Sequence, residues 1–116
     1  MNSLVKQVTW LLGIVLLLVG IAGFFVDGML LFFEVDPVHN VVHLLSGVVA
    51  LAAAGAGESY ARLYLIIFGL VYAVVTVVGF MTSDVLGLFG VNDADNYLHG
   101  AIALVSLGVG FGGGKK

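Results

Sequence analysis

Cysteine is absent from the 116-residue chain, which excludes disulfides, thiolate metal sites and cysteine nucleophiles. Charge is nearly absent too. Charged residues make up 9% of the chain and hydrophobic residues 61%, whereas a soluble domain carries roughly 25% charged residues. Lipid must therefore be the main solvent. Only four residues are lysine or arginine, too few for the basic patch that a nucleic-acid partner requires. Polar linkers are also missing, so residues 1–116 are expected to form a single membrane domain.

What is present in abundance is apolar sequence, in four stretches at about 8–26, 38–56, 61–81 and 94–111. At a rise of about 1.5 Å per residue, each is long enough to cross a hydrocarbon core about 30 Å thick. The first stretch follows Lys6 and ends in small residues, as a secretory signal does, but it exceeds the roughly 7–15 apolar residues of such signals. It is read as a span. Lysine and arginine accumulate in cytoplasmic segments. With four spans, Lys6, Arg62, Lys115 and Lys116 all fall on one face, and Asp27, Glu34, Asp36, Asp84, Asp93 and Asp95 fall in the two opposite loops. Both termini are then cytoplasmic. Glu58, four residues before Arg62, reads as an exposed ion pair worth a few tenths of a kcal/mol.

A shift of 56 residues aligns the first pair of spans with the second without gaps. Gly13 falls on Gly69, Val19 on Val75, Gly23 on Gly79, Phe33 on Phe89, Asn40 on Asn96 and His43 on His99. Two copies of one helical hairpin, about 5–57 and 61–113, are predicted to enter the membrane in the same sense. The expected fold is all-α, a four-helix bundle with pseudo-two-fold symmetry. Gly13, Gly20 and Gly23, with Gly69, Thr76 and Gly79, are the small residues that let helices approach closely in lipid. Met29 to Phe33 and Val85 to Phe89 are apolar but too short to span, and are expected at the interface. Trp10, Tyr60, Tyr64 and Tyr97 read as interfacial anchors. The glycine-rich ending from Gly108 to Lys116 is expected to fray.

Polar residues concentrate at the starts of spans two and four, as Asp36-Pro37-Val38-His39-Asn40-Val41-Val42-His43 and Asn92-Asp93-Ala94-Asp95-Asn96-Tyr97-Leu98-His99. Asp36 before Pro37 reads as a helix cap followed by a first-turn proline, and Asp93 as the cap of the other helix. Asn40 and His43, like Asn96 and His99, are three apart and share a helix face. His39 lies four before His43, and its counterpart in the repeat is Asp95. Three imidazoles and a carboxylate can thus converge.

The plainest reading is structural. Asn40, His43, Asn96 and His99 hydrogen-bond across the two-fold and fix the register of the hairpins, at about 0.6 kcal/mol per interhelical bond. A second reading is a divalent-metal site formed by His39, His43, His99 and Asp95, since nitrogen and oxygen donors suit zinc or a similar ion. A third is haem b held by His43 and His99, one axial histidine from each repeat. The outer side offers no lysine or arginine for its propionates. Below the histidines the spans contain little polar beyond Ser46, Tyr72, Thr76 and Ser106, so no continuous proton or ion path is expected. No nucleophile with a base, phosphate loop or dinucleotide fingerprint is present, and no enzymatic activity is expected.

The run Pro37 to Gly47, then Ala61-Arg62-Leu63-Tyr64 with Phe68-Gly69, then Asp95-Asn96-Tyr97-Leu98-His99, resembles the prokaryotic membrane family called domain of unknown function 4383. That resemblance implies a four-span protein of a prokaryotic plasma membrane and carries no activity. In the second copy Gly100 follows the histidine where Leu44 does in the first. The expected role is a structural or accessory subunit. Its surroundings are the lipid bilayer, and its expected partners are other membrane proteins or further copies of itself. With no cofactor as the first expectation, the alternative is a metal- or haem-binding protein.

Overall fold

The structure is a computed structural model describing residues 3–113. Each predicted span becomes a helix: α1 at Leu4–Gly23, α2 at Pro37–Ala56, α3 at Glu58–Met81 and α4 at Asp93–Gly112. The four pack as an all-α bundle, with α1 mainly against α2 and α3 mainly against α4. Gly57 alone separates α2 from α3, at φ 143°, a backbone conformation that suits glycine. α1 stops short of the expected residue 26. The Phe24 and Phe25 amides turn back to the Ile21 and Ala22 carbonyls, which diverts the chain into a loop.

That loop and its counterpart each form a small antiparallel hairpin. β1 (Met29–Leu30) pairs with β2 (Phe33–Glu34), and β3 (Asp84–Val85) with β4 (Phe89–Gly90). The tips, Leu31 and Phe32 in one and Leu86 and Leu88 in the other, are apolar and exposed. Leu31 takes a positive φ of 56°, and its counterpart 56 positions on, Gly87, takes one of 75°. The hairpins reach across the bundle. β2 packs on α4, and β4 on α2.

Three of the helices, α1, α2 and α3, are long and apolar enough to cross a membrane. α4 has the length but opens on Asp93, Asp95, Asn96 and His99. Three of these, Asp95, Asn96 and His99, are turned into the bundle and buried. The surface is aliphatic on all four helices: Leu11, Leu45, Leu70 and Leu104 are 63%, 57%, 53% and 76% exposed. The interior holds Thr9, Ser46, Ser106 and the histidines. This is the reverse of a water-soluble bundle.

Of the aromatic anchors, Tyr60 and Tyr97 face outward, but Tyr64 does not. It is buried against Val5, Ala50 and Leu65, and its hydroxyl donates to the Ser46 carbonyl at 2.8 Å. An apolar ring whose hydroxyl finds a carbonyl partner is as stable inside the bundle as at the headgroups. The glycine-rich ending is helical to Gly112, and its last three residues, 114–116, lie outside the described residues. Arg62 donates to the Gly110 carbonyl at 2.7 Å and also pairs with Glu58 at 3.2 Å. It thereby satisfies a carbonyl that the end of α4 leaves open.

Close helix approach is sharpest between α1 and α2. A Cβ added at Gly47 would stand 2.6 Å from the Leu17 amide nitrogen and 2.8 Å from the Gly13 carbonyl oxygen. One added at Gly20 would stand 2.7 Å from the Leu44 amide nitrogen. These are backbone atoms, which cannot give way without moving a helix. Gly47→Ala should therefore destabilise the bundle by about 1–3 kcal/mol. Gly108→Ala, where nothing lies within 4 Å, should be neutral or mildly stabilising. Unfolding of both variants in detergent checks this, and equal stabilities would contradict the backbone contact.

Candidate metal centre

The centre is built at the N-terminal ends of α2 and α4, beneath the two hairpins. Asp36 caps α2, its Oδ1 accepting from the His39 amide at 2.8 Å, and Pro37 occupies the first turn. α4 is capped by Asn92 rather than the expected Asp93. Asn92 Oδ1 accepts from the Asp95 amide at 2.9 Å, while Asp95 Oδ2 accepts from the Asn92 amide at 3.0 Å. This reciprocal capping box satisfies two open amides, whereas an Asp93 cap would leave the Asp95 carboxylate buried without that bond.

Each helix-start carboxylate, Asp36 and Asp95, also holds the hairpin of the other repeat. Asp36 Oδ2 accepts from the Gly90 amide at 3.0 Å, and Asp95 Oδ2 from the Glu34 amide at 3.2 Å. Glu34 and Gly90 are 56 positions apart, so the two bonds are counterparts. Asn92 Nδ2 adds a bond to the Phe32 carbonyl at 3.0 Å.

Beneath these clamps three histidines meet. His39 and His43 share one face of α2, and His99 faces them from α4. All three are at most 2% exposed. His39 Nε2 and His43 Nε2 each lie 3.3 Å from His99 Nε2, and one ring nitrogen from each histidine lies within 4.8 Å of the other two. The His39 and His43 rings are 4.4 Å apart. Phe89 stacks on His39 at 4.6 Å and closes the centre from above, and Tyr72 flanks His99 at 5.4 Å.

Asp95, expected to join the histidines, stands outside the group. Its Oδ2 is turned to the Asn92 and Glu34 amides, and its Oδ1 is buried without a partner among the described residues. Asn40 and Asn96 are buried, but their work lies within their own repeats rather than across the two-fold. Asn96 Nδ2 donates to the Gly79 carbonyl at 3.0 Å. The Asn40 and Asn96 side-chain oxygens press on Gly23 and Gly79, where any Cβ would overlap them. A glycine and an asparagine 17 residues on thus lock each helical hairpin, with a Cα–H of the glycine facing the amide oxygen.

The hydrogen-bond chemistry of the three rings is incomplete. His99 Nε2 either carries one proton to donate or offers one in-plane lone pair to accept, so it makes one well-aligned bond, not two. The Nδ1 atoms of all three have no partner among the described residues. Three converging ring nitrogens that cannot all pair with one another are an incomplete network in a buried site, where unmet polar groups are destabilising. A cation in their midst would engage all three lone pairs and place each proton on Nδ1. In a tetrahedral zinc site with Zn–N of about 2.0–2.1 Å the nitrogens are about 3.3–3.4 Å apart. The two contacts to His99 Nε2 have that spacing.

Sequence reasoning missed three residues here: Phe89, Tyr72 and Tyr64. Phe89 aligns with Phe33 in the repeat, and Tyr72 and Ser46 are polar residues within apolar spans, so a signal existed without indicating contact. Tyr72 donates to Ser46 Oγ at 3.3 Å. With Tyr64 on the Ser46 carbonyl, this extends buried polar contacts from the histidines toward the middle of the bundle.

Fold and centre together define a small all-α bundle of apolar helices, with a histidine triad buried under two interlocked hairpins. The chain belongs to the family described as Domain of unknown function (DUF4383), which matches residues 6–112. No curated protein and no solved structure matches it.

The two roles of the carboxylates and imidazoles separate experimentally. Asp95→Ala removes the acceptor of two amides and should lower stability by about 1–3 kcal/mol. Asp95→Asn, which keeps an acceptor oxygen, should lose less. Thermal unfolding in detergent gives the comparison, and equal losses would mean that charge rather than hydrogen bonding matters there.

Proposed function

We propose that this chain is a four-span membrane protein that binds a transition-metal ion through His39, His43 and His99. In this reading α4 is the fourth span, since Asp95, Asn96 and His99 are buried against the bundle rather than facing lipid and, of its two carboxylates, only Asp93, at the helix end, is exposed. Both termini are cytoplasmic, and the hairpins and centre lie on the outer side of a prokaryotic plasma membrane. Support for the topology comes from the aliphatic outer surface and from the placement of the basic residues.

The observation that carries the reading is the convergence of three buried Nε2 atoms on one point, with 3.3 Å contacts that hydrogen bonds alone cannot satisfy. Imidazole nitrogens of this kind suit zinc, copper, iron or nickel. A haem fits the geometry less well. Axial histidines stand on opposite faces of the macrocycle, whereas His43 and His99 touch. The accessory-subunit reading draws only on the exposed apolar helix faces, and lipid chains satisfy those equally well.

Elemental analysis of the detergent-purified protein, covering iron, zinc, copper, nickel and manganese before and after reconstitution, tests the proposal. About one metal ion per chain is expected, falling to near zero in the His43→Ala, His99→Ala double variant with its helical content retained. Metal in neither protein after reconstitution with each ion would leave the histidines as structural groups and overturn the reading.

A further inference from the structure

We infer that the ion held by the histidine triad is monovalent copper, an inference that rests on the metal-binding reading above. The donor set is neutral: three imidazoles, with no carboxylate in the group. Of the two nearest helix-start carboxylates, Asp36 has both oxygens engaged, whereas Asp95 bonds through Oδ2 alone and keeps a buried Oδ1 without a partner among the described residues, outside the histidine group. Asp36 accepts from the His39 and Gly90 amides, and Asp95 from the Asn92 and Glu34 amides. The ion's charge is therefore not neutralised by a direct ligand.

Position makes this more severe. His39 and His43 lie in the first two turns of α2 and His99 in the second turn of α4, so the ion sits near two helix N-termini, whose partial charges are positive. The centre is also dry, with every histidine at most 2% exposed. Desolvation energy grows as the square of the charge, so a divalent ion is penalised about four times as heavily as a monovalent one. Among the metals that imidazole favours, copper is the one with a stable monovalent state, and the alkali ions prefer oxygen donors.

Geometry and surroundings agree. Three imidazole nitrogens, two of them 3.3 Å from His99 Nε2, make a low-coordinate arrangement open to copper(I). Sulfur is available at the same end of the molecule. Met29 Sδ lies 4.0 Å from Asn92 Nδ2, and Met81 and Asn92 line one crevice of about 490 Å³ together with Glu34 and Asp93. Thioethers are soft ligands that select copper(I).

The test is an anaerobic titration of the detergent-solubilised full chain with copper(I), in competition with a chromophoric copper(I) chelator. A parallel titration uses zinc(II) against a zinc indicator. One copper(I) per chain is expected, with zinc(II) bound at least about 100-fold more weakly. His99→Gln should weaken copper(I) by more than the roughly 10–100-fold typical of losing an outer-shell partner. X-ray absorption of the copper-loaded wild type, which needs no variant, should show three nitrogen scatterers. Zinc(II) bound as tightly as copper(I), and lost in His99→Gln, would overturn the choice of ion while leaving the metal centre standing. Binding of neither ion would overturn both.

Discussion

The structure depends on one pair of hydrogen bonds, in which each repeat holds the hairpin of the other through a carboxylate at a helix start. Asp36 takes the Gly90 amide and Asp95 takes the Glu34 amide. Most of the packing is local, α1 on α2 and α3 on α4, and a bundle made only of such pairs could slide along the seam between them. Apolar side chains against apolar side chains in lipid provide little resistance to sliding, because acyl chains are as good a neighbour as leucine. A charge-assisted bond to a backbone amide does resist it. The two clamps fix the relative height of α2 and α4 at the level where His39, His43 and His99 must meet.

Close packing does the complementary work within each repeat. Gly47 and Gly20 let α1 and α2 touch at the backbone, and Gly23 with Asn40, like Gly79 with Asn96, brings the hairpin ends together. In a bundle without a hydrophobic driving force between helices, van der Waals contact and a few buried polar bonds decide the crossing. Glycines lie along one face of α1 at positions 13, 20 and 23. α2 therefore approaches closely along most of its length, which carries His43 to the bundle axis.

Much of this arrangement was legible in the sequence, and the exceptions have physical causes. Four apolar runs mark the four helices, three of them long and apolar enough to cross a membrane. His39 and His43 share a face by helical period, and the repeat points to His99. The hairpins were not legible: two-residue strands in an aliphatic stretch carry no alternation that separates them from an interfacial loop. Tyr64 was misplaced because a tyrosine near a span end has two good environments, and only the Ser46 carbonyl decides between them. Asp95 was grouped with the histidines because it occupies the position of His39, yet a carboxylate in the first turn of a helix has open amides to satisfy before any metal. Asp93 and Asn92 are both good caps by type, and the reciprocal bond with Asp95 selects Asn92.

That last difference explains why the centre has three histidines from two equivalent helices. Both repeats need one carboxylate at the helix start to hold the opposite hairpin. In α4 it sits at the third helical position, Asp95, with the neutral Asn92 as cap. In α2 it sits at the cap itself, Asp36, whose two oxygens serve the His39 and Gly90 amides together. Moving the carboxylate back to the cap releases the third position of α2, and His39 occupies it, stacked under Phe89 of the opposite hairpin. A fully symmetric chain would face one of two outcomes. Asp at both third positions would leave only His43 and His99, a touching pair with no third donor. Histidine at both third positions would crowd four imidazoles into the space that three already fill at 3.3 Å. The asymmetry between the repeats is therefore what turns a structural seam into a three-nitrogen centre.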